Sequence, residues 1–468
     1  MTLQPYPSYK DSGVSWLGEV PEQWEVRRIK TLFREKDERS GDGNGLLLSL
    51  TRARGIVPQS EASNRMASAE DLSKYKVCRP GDLVMNRMQA WSGMFAVSSR
   101  EGLVSPDYSV FAAIGASKVK YFEYLLKTPI LVDQFAQRSK GIGSGFNRLY
   151  TPEFGTVPCG VPPLPEQYAI VRFLDHEDRR IRRYIAAKKK LIVLLNEQKQ
   201  AIIHRAVTRG LDPSVALKPS GVAWLGTIPT HWDVSRSRRL FAVRTELARP
   251  GDVQLSSTQA YGVIPQSEFE AKVGRKVVRI SMHLEKRRHV EKSDFVISMR
   301  SFQGGLERAW ASGAIRSSYV VLRPEPGVDV NFFTYLFKSQ GYIGALQATA
   351  DFIRDGQDLT YANFRRVDLP LVPLDEQRQI ARLVGKAISD IEASISRLHG
   401  ELDLVHEYHT RLITDVATGK LDVREAAARL PDVIEAPDTL DESEIQAEDD
   451  ESADEAQDVD GMEASANE

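Results

Sequence analysis

PLPEQYAIVRFL at residues 163–174 returns 210 residues later as PLDEQRQIARLV at residues 373–384. The two copies align without a gap from 149 and 359 to 212 and 422. Pro163 and Pro373 disfavour helix immediately before them, so each closes an extended segment. Glu166 and Glu376 then fall in a first helical turn, where negative charge is stabilising. Each copy therefore predicts the start of a long helix.

Apolar residues in both runs recur with 3-4 spacing, which is typical of a coiled coil. The first run carries Asp178, Lys188 and Lys199 in this register, so it is a poor partner for itself. Its natural partner is the cleaner second run, and we predict that the two helices form an antiparallel coiled coil. The predicted seam consists of Ile181, Ile185, Ile192, Leu195, Ile202, Ile391, Ile395, Leu398, Leu402, Val405 and Leu412.

The repeat extends well beyond the helices. An opening motif, SGVSWLGEVPEQWEVRRIKTLF at 12–33, matches SGVAWLGTIPTHWDVSRSRRLF at 220–241. TRARGIVPQSE at 51–61 matches TQAYGVIPQSE at 258–268, and PGDLVMNRM at 80–88 matches KSDFVISMR at 292–300. A repeat of this length is a duplicated domain rather than a solenoid unit.

Short apolar runs typical of strands alternate with short helical runs in each copy, which predicts a mixed α/β (α+β) fold with a pseudo-two-fold internal repeat. We predict globular domains at 1–162 and 211–372, long helices at 163–210 and 373–423, and an acidic, disordered tail at 424–468. The first half of the repeat is residues 1–210, and the second half is residues 211–423.

Charge is distributed unevenly. Residues 431–468 contain 16 of the 64 Asp/Glu and no Lys/Arg, which leaves 62 Lys/Arg against 48 Asp/Glu elsewhere. The body therefore carries a net charge of +14, as suits a polyanionic partner, although a solvated surface would look the same. Two separated cysteines, no apolar run near 18 residues and no signal-peptide pattern predict a cytoplasmic protein.

The doubled opening motif, the GDLVMNRMQAWSG segment and the doubled PLPEQ/PLDEQ resemble the specificity (S) subunit of type I restriction–modification systems. The resemblance covers about residues 10–425, and its motifs recur in the same order in both halves. It implies two target recognition domains that read a bipartite, asymmetric DNA site, and two helices that fix the gap. It also implies assembly with two adenine methyltransferase (M) subunits and with motor–nuclease, or restriction (R), subunits.

The sequence lacks a GxxxxGK[ST] phosphate loop and the Asn/Asp-Pro-Pro-Tyr/Phe stretch of an amino-methyltransferase. These absences agree with the resemblance, which implies a non-catalytic subunit. It implies that this chain binds no cofactor and that S-adenosylmethionine, ATP and Mg²⁺ are used by partner subunits. The alternative is a non-catalytic coiled-coil scaffold whose basic domains bind RNA or protein.

DNA-reading candidates are polar residues on loops near the repeated strands, because Arg suits guanine edges and Asn or Gln suits adenine edges. Phosphate contact or plain solvation is the alternative for each of them. Where the halves differ, as at Arg52/Gln259 and Arg54/Tyr261, different readout is the natural hypothesis. The candidates are Arg52, Arg54, Asn86, Arg87, Gln89, Asn147, Arg148, Gln259, Tyr261, Arg300, Gln303, Arg308, Arg354, Gln357, Arg365 and Arg366.

Overall fold

A computed structural model describes residues 3–52, 54–62, 72–141, 147–277, 284–298, 301–349 and 360–431. The chain divides into two compact units. The first unit contains Met1–Arg182 and the described residues from His406 onward, and the second contains Arg183–Val405. Each predicted recognition domain therefore lies within one unit, and each long helix contributes to both.

The first half contains fourteen strands and five helices among its described residues. The strands are β1 (Tyr9–Asp11), β2 (Glu19–Pro21), β3 (Glu25–Arg28), β4 (Phe33–Lys36), β5 (Leu48–Thr51), β6 (Gly55–Pro58), β7 (Lys76–Cys78), β8 (Leu83–Asn86), β9 (Phe95–Val97), β10 (Gly102–Val104), β11 (Tyr108–Ala113), β12 (Lys140–Gly141), β13 (Asn147–Arg148) and β14 (Pro158–Val161). The helices are α1 (Gln59–Ala62), α2 (Val119–Leu126), α3 (Pro129–Arg138), α4 (Thr151–Thr156) and α5 (Leu164–Arg209), with 3-10 turns at Ile29–Thr31 and Ala90–Ser92.

The rest of the described chain repeats this order. Its strands are β15 (Leu217–Pro219), β16 (Thr227–Pro229), β17 (Asp233–Arg236), β18 (Phe241–Arg244), β19 (Leu255–Thr258), β20 (Gly262–Pro265), β21 (Arg288–Val290), β22 (Phe295–Ile297), β23 (Glu307–Arg308), β24 (Gly313–Ile315), β25 (Val320–Pro324) and β26 (Asp368–Leu371). Its helices are α6 (Ser237–Leu240), α7 (Gln266–Val273), α8 (Ser301–Gly304), α9 (Val330–Phe337), α10 (Gln340–Gln347), α11 (Tyr361–Phe364), α12 (Leu374–Ala417) and α13 (Arg424–Ala428), with a 3-10 turn at Leu284–Lys286.

A four-stranded antiparallel sheet lies at the centre of each recognition domain. Its order is β4-β11-β8-β9 in the first half and β18-β25-β22-β23 in the second. The register is also shared, since Val110 faces Lys36 and Val84, as Val321 faces Arg244 and Val296. Every sheet among the described residues is antiparallel, so α+β describes the mixed fold, and the predicted fold class is confirmed.

Alternation along the central strands gives each domain two cores. On β8, Leu83 and Met85 enter the main core, whereas Val84 enters a smaller core beneath the β5–β6 hairpin. In the second unit, Phe295 and Ile297 enter the main core and Val296 enters the smaller one. The small cores fix the two hairpins, β5–β6 and β19–β20, to the central sheets.

The repeated glutamate in the first turn of α5 anchors the opening motif of the first unit. Glu166 Oε1 accepts hydrogen bonds from Trp24 Nε1 (2.7 Å) and from the Tyr6 hydroxyl (2.6 Å). Burial and the neighbouring carboxylate raise the pKa of Tyr6, so its hydroxyl remains a donor. Gly419, just after α12, lies against Trp24 with φ of +82°. The end of one long helix and the start of the other thus meet at one tryptophan.

The second unit repeats this arrangement with the helices exchanged. Glu376, in the first turn of α12, accepts a hydrogen bond from Trp232 Nε1 (2.9 Å) and contacts His231 Nε2 (2.8 Å). Gly210, just after α5, lies against Trp232 with φ of +71°. An added Cβ at Gly210 would lie 3.2 Å from Glu376 Oε1 and 3.4 Å from the Trp232 ring, so a larger residue would crowd this contact.

The glutamine that follows each glutamate is also structural. Gln167 accepts a hydrogen bond from Lys118 N (2.9 Å) and donates one to Pro162 O (2.9 Å). Gln377 accepts from Asp329 N (2.7 Å) and donates to Val372 O (2.8 Å). Both glutamines therefore tie a helix start to the loop before the first helix that follows the central sheet. The doubled EQ pair is explained by folding rather than by chemistry.

The polar positions of the α5 seam each face a partner on α12. In the first unit, Asp178 Oδ1 lies 3.1 Å from His409 Nε2. Burial opposes the charge on Asp178, but His409 and Arg182 outweigh it and lower the pKa of the carboxyl. This pair compensates for the charge that the sequence places at an apolar position.

In the second unit, Lys188 Nζ lies 3.1 Å from Glu401 Oε2, and Lys199 Nζ lies 3.3 Å from Glu392 Oε1. Residue numbers rise along α5 as they fall along α12, so the helices run antiparallel. The two helices contain 46 and 44 residues. Ile181, Ile391, Leu398, Leu402 and Leu412 are buried, and Ile185, Ile192, Leu195, Ile202, Ile395 and Val405 are partly buried.

The prediction that a disordered tail begins at residue 424 is wrong for the part of that tail that the structure describes. Helix α13 forms there, and Val423 and Ala427 are buried in the main core of the first unit. The apolar face of REAAA supplies enough burial to order this segment despite its proximity to the acidic stretch. The remainder of the predicted tail, residues 432–468, lies outside the described residues.

An ionic network distinguishes the second unit from the first. His289 is buried, with Nδ1 2.8 Å from Asp252 Oδ2 and Nε2 2.9 Å from Glu291 Oε1. Arg249 contacts Glu291 at 2.9 Å. Burial opposes protonation of His289, but its two carboxylate partners outweigh burial and raise its pKa. At the equivalent strand position the first half has Val77.

No helix among the described residues combines the length and the apolarity that crossing a membrane requires.

Replacing Glu166 by Ala is expected to lower the free energy of unfolding by about 2–4 kcal/mol, because Trp24 and Tyr6 lose their acceptor inside the core. Urea unfolding followed by circular dichroism would measure this. The matched control is Glu197→Ala, an exposed position on the same helix, which should change stability by less than about 0.5 kcal/mol. Equal effects of the two substitutions would contradict the anchoring role.

His289→Val should change how stability depends on pH. A raised folded-state pKa means that the stabilisation is complete below the unfolded value of about 6.5 and disappears as pH rises through the folded value. The difference in thermal midpoint between wild type and His289→Val should therefore shrink between pH 6 and pH 9. His399→Ala, at an exposed position of α12, is the control and should retain the wild-type profile; a constant difference would disprove the charge on His289.

Candidate nucleic-acid interface

The two hairpin tips, which follow Thr51 and Thr258, are closed by the same hydrogen bonds. Thr51 Oγ1 accepts from Arg54 N (3.2 Å) and donates to Gly55 O (3.1 Å). Thr258 Oγ1 accepts from Tyr261 N (3.0 Å) and donates to Gly262 O (3.2 Å). The described side chains at the two tips, by contrast, differ.

In the first unit, Arg52 joins the hairpin tip to the loop after β8. Its guanidinium donates to Ser92 O (3.1 Å) and Ser92 Oγ (3.0 Å). Ser92 Oγ donates in turn to Gln89 O (2.8 Å), and Asn86 Nδ2 donates to Gln89 Oε1 (3.1 Å). Three predicted residues, Arg52, Asn86 and Gln89, therefore belong to one hydrogen-bonded surface. Asn86 is itself buried and organises the loop.

Two further arginines gather at Asp107. Arg87 Nε donates to Asp107 O (2.7 Å), and Arg87 Nη2 and Arg148 Nη2 each lie 3.5 Å from Asp107 Oδ1. Arg148 Nε also donates to Met88 Sδ (2.7 Å), in the same loop as Asn86. Neighbouring Asn147 is exposed on β13. Arg54 instead points towards α1, where its guanidinium donates to Glu61 O.

In the second unit, Gln259 occupies the place of Arg52. The Gln259 side chain lies close to Gly304, since a Cβ added at Gly304 would be 2.8 Å from Gln259 Cδ. Gln303, in the same short helix α8, is exposed. Tyr261 is 39% exposed, with Lys272 Nζ 5.2 Å from its ring centroid. The second tip is thus neutral and aromatic where the first tip carries two arginines.

The remaining candidates of the second unit are separated. Arg308 donates to Asn331 Oδ1 (2.7 Å) and stacks on the Trp310 ring at 4.2 Å. Burial lowers the pKa of its guanidinium. Arg366 donates to Thr349 O (3.0 Å) and Arg365 lies over the Tyr361 ring, both away from the hairpin in sequence. Arg300, Arg354 and Gln357 lie outside the described residues.

Sequence reasoning did not select Trp91 and Trp310, which are 40% and 47% exposed. Both are tryptophans outside the opening motif, which is the signal that could have found them. Trp91 Nε1 donates to Met88 O (2.8 Å), so it belongs to the same loop as Asn86 and Gln89. Among the described residues, no group of three His, Cys, Asp or Glu side chains could hold a metal ion.

Comparison with known proteins gives the kind of protein that this chain is similar to. No family model matches the chain. A protein of Methanocaldococcus jannaschii, provisionally named as the type I restriction enzyme MjaX specificity subunit, is 22% identical over 433 residues. The match covers 87% of this chain and 96% of that protein. Over most of its length, this chain is similar to a type I specificity subunit.

One solved structure shares the fold of this chain. A chain of a type I R-M system, described for its complex assembly and conformational transition, superposes with a TM-score of 0.62 at 14% identity, over 86% of this chain and 99% of that one. The HsdS subunit from Thermoanaerobacter tengcongensis gives a TM-score of 0.46 at 15% identity, over 86% and 98%. The resemblance to type I specificity subunits seen in the sequence motifs is confirmed.

Arg52→Ala should weaken DNA binding by about 5- to 150-fold, the range expected for one lost guanidinium–base pair contact. Competition binding of this protein to labelled duplex DNA would measure it. If Arg52 reads a base, the loss appears with the specific site and not with unrelated duplex; an equal loss on both identifies a phosphate contact. Arg28→Ala, at an exposed position of β3, is the control and should bind as wild type.

Proposed function

We propose that this chain is the DNA specificity subunit of a type I restriction–modification complex. Each recognition domain reads one part of a bipartite, asymmetric site, and the chain directs adenine methylation and restriction by partner subunits. The observation that carries this proposal is a pair of hairpin tips that are closed by the same threonine hydrogen bonds and carry different side chains, Arg52/Arg54 and Gln259/Tyr261. Such a pair suits a protein that applies one binding geometry to two different base sequences.

The chemistry of the two tips favours different bases. The fork of a guanidinium matches the O6 and N7 acceptors of guanine, whereas the amide of Gln259 matches the N6 donor and N7 acceptor of adenine. In the first unit, the arginines at Asp107 are held beside the loop and suit phosphate oxygens. The basic body supplies the salt-dependent affinity, and the tips supply the selectivity.

Partner subunits supply the reaction. Two M subunits bind S-adenosylmethionine and methylate adenine, and R subunits use ATP and Mg²⁺ in the cytoplasm; this chain supplies neither activity. Support comes from the apolar residues that the long helices expose in the second unit, which are suited to docking another subunit. They are Leu191, Val193 and Leu194 on α5 and Leu404 on α12.

The alternative, a scaffold whose basic domains bind RNA or protein, gains no support from these observations. A scaffold does not need two equivalent loop surfaces that differ in their polar side chains. The similarity to a type I specificity subunit extends over both recognition domains and both helices, whereas a scaffold would require likeness in the helices only.

Methylation mapping tests the proposal. Cells that express this chain with its methyltransferase partner should carry methyl-adenine in one gapped motif with two different parts. Exchanging residues 1–162 for the corresponding segment of another family member should change one part of that motif and preserve the gap and the other part. Expression of the methyltransferase without this chain is the control, and should leave the motif unmethylated.

Methylation that is absent, or that is independent of this chain, would contradict the specificity function. A simultaneous change in both parts of the motif after the exchange would contradict the assignment of one part to each domain.

A further inference from the structure

The second unit exposes an aromatic–cation surface formed by Tyr261, Arg308 and Trp310. Trp310 follows β23, is 47% exposed, and donates its backbone N–H to Val263 O (2.9 Å). The Arg308 guanidinium lies 4.2 Å from the centroid of its ring. Tyr261 occupies the hairpin tip beside Gly262 and is 39% exposed. Tyr261 therefore lies in the hairpin tip, and Trp310 lies next to it.

Gly262 makes this arrangement possible. It has φ of +71°, and an added Cβ would lie 2.7 Å from Arg308 O and 2.8 Å from Trp310 Nε1. A side chain at this position would displace the tryptophan. Among the described residues, an added Cβ at the equivalent Gly55 of the first unit would meet just the Ala96 methyl, at 3.4 Å. The second hairpin is thus fitted closely against Trp310.

Arg308 is a partly buried cation that retains donors for a ligand. One hydrogen bond ties Nη1 to Asn331 Oδ1, and no carboxylate among the described residues lies within ion-pair distance. Its Nε is buried and has no hydrogen-bond partner within the described part of the chain. Because Nε is enclosed, an incoming acceptor must approach the other nitrogens of the guanidinium.

The first half has a different surface at these positions. Ser98 N donates to Asp82 O and Ala309 N donates to Asp294 O, both at 2.8 Å, which fixes the alignment of the two halves. Val97 and Ser99 then correspond to Arg308 and Trp310, and Arg54 corresponds to Tyr261. The aromatic–cation surface is consequently specific to the second recognition domain.

We propose that this surface is a nucleobase-stacking site in which Trp310, steadied by Arg308, receives the face of a base from the second part of the DNA site. The inference rests on the specificity function proposed above and adds base stacking as a means of recognising the DNA. A base offers a π-face for the indole and acceptor atoms for the arginine, whereas a phosphate offers no face to stack on. Bases within a regular duplex are covered by their neighbours, so the stacked base must be unstacked at that step.

The test uses the complex of this chain with its methyltransferase partner and a duplex that carries the motif found by methylation mapping. Single positions in the second part of the motif are replaced by an abasic site, which removes the base face but leaves the phosphate. One such replacement should weaken binding of the wild type. Trp310→Ala should weaken binding of the intact motif by about 5- to 150-fold and should no longer respond to that replacement, whereas Trp310→Phe should retain most of both the affinity and the response.

Two matched controls accompany these variants. Trp91→Ala removes a similarly exposed tryptophan from the first unit and should leave the response to the abasic site in the second part unchanged. Gly262→Ala should reduce that response as Trp310→Ala does, because it displaces the ring, whereas Gly55→Ala, also at positive φ (+68°), should not. Thermal unfolding of each variant checks that the domains remain folded.

Abasic replacements that weaken binding of wild type and Trp310→Ala equally at every position, or Trp310→Ala binding that equals wild type, would overturn the stacking site while leaving the specificity function intact. Wild type that binds the motif and a shuffled duplex equally well would instead remove the specificity function and the stacking site together.

Discussion

A single hydrogen bond between an indole N–H and a carboxylate, formed twice, is the constraint on which the rest of the molecule depends. Glu166 holds Trp24 and Glu376 holds Trp232, each at the first turn of a long helix. The carboxylate is favourable there because the helix terminus carries partial positive charge. Through this bond the start of each recognition domain is fixed to a helix start, and a glycine after the other helix completes the contact.

The two halves have kept this framework while their ion pairs diverged. Lys36–Asp82 in the first half corresponds to Arg244–Asp294 in the second, so the pair beside the central sheet is preserved. Nearby, Arg79 pairs with Glu38 in the first half, but the second half has Glu291 at that place. Arg249 compensates for this reversal of charge by pairing with Glu291, which His289 also contacts. Such compensation shows that each domain is stabilised by its own network, which leaves the loops free to differ.

Much of the fold could be predicted because its causes are local or repeated. Proline before each helix, glutamate in its first turn and regular apolar spacing predict boundaries of 163–210 and 373–423, close to Leu164–Arg209 and Leu374–Ala417. Asp178, Lys188 and Lys199 indicated that the first helix needed a different partner, and the contacts with His409, Glu401 and Glu392 agree. Helix α13 was not predicted, because its ordering depends on core residues that are distant from it in the sequence.

The candidate site was less predictable, because polarity in a loop does not show where a side chain points. Asn86 is a polar residue after a strand, yet it is buried and holds Gln89. Trp310 was not selected because its exposure depends on the nearby Gly262, 48 residues earlier in the chain. Assigning bases to Arg52 and Gln259 rests on general pairing geometry and stays a prediction.

The ion pairs along the helices also have an evolutionary consequence. Within the second unit, Lys188–Glu401 and Lys199–Glu392 fit one alignment of α5 and α12. Inserting seven residues into one helix between these pairs would separate one lysine from its glutamate. Lengthening therefore requires matched insertions in both helices. New spacings should arise in discrete steps through coupled mutations, so intermediate lineages with a single insertion should be rare.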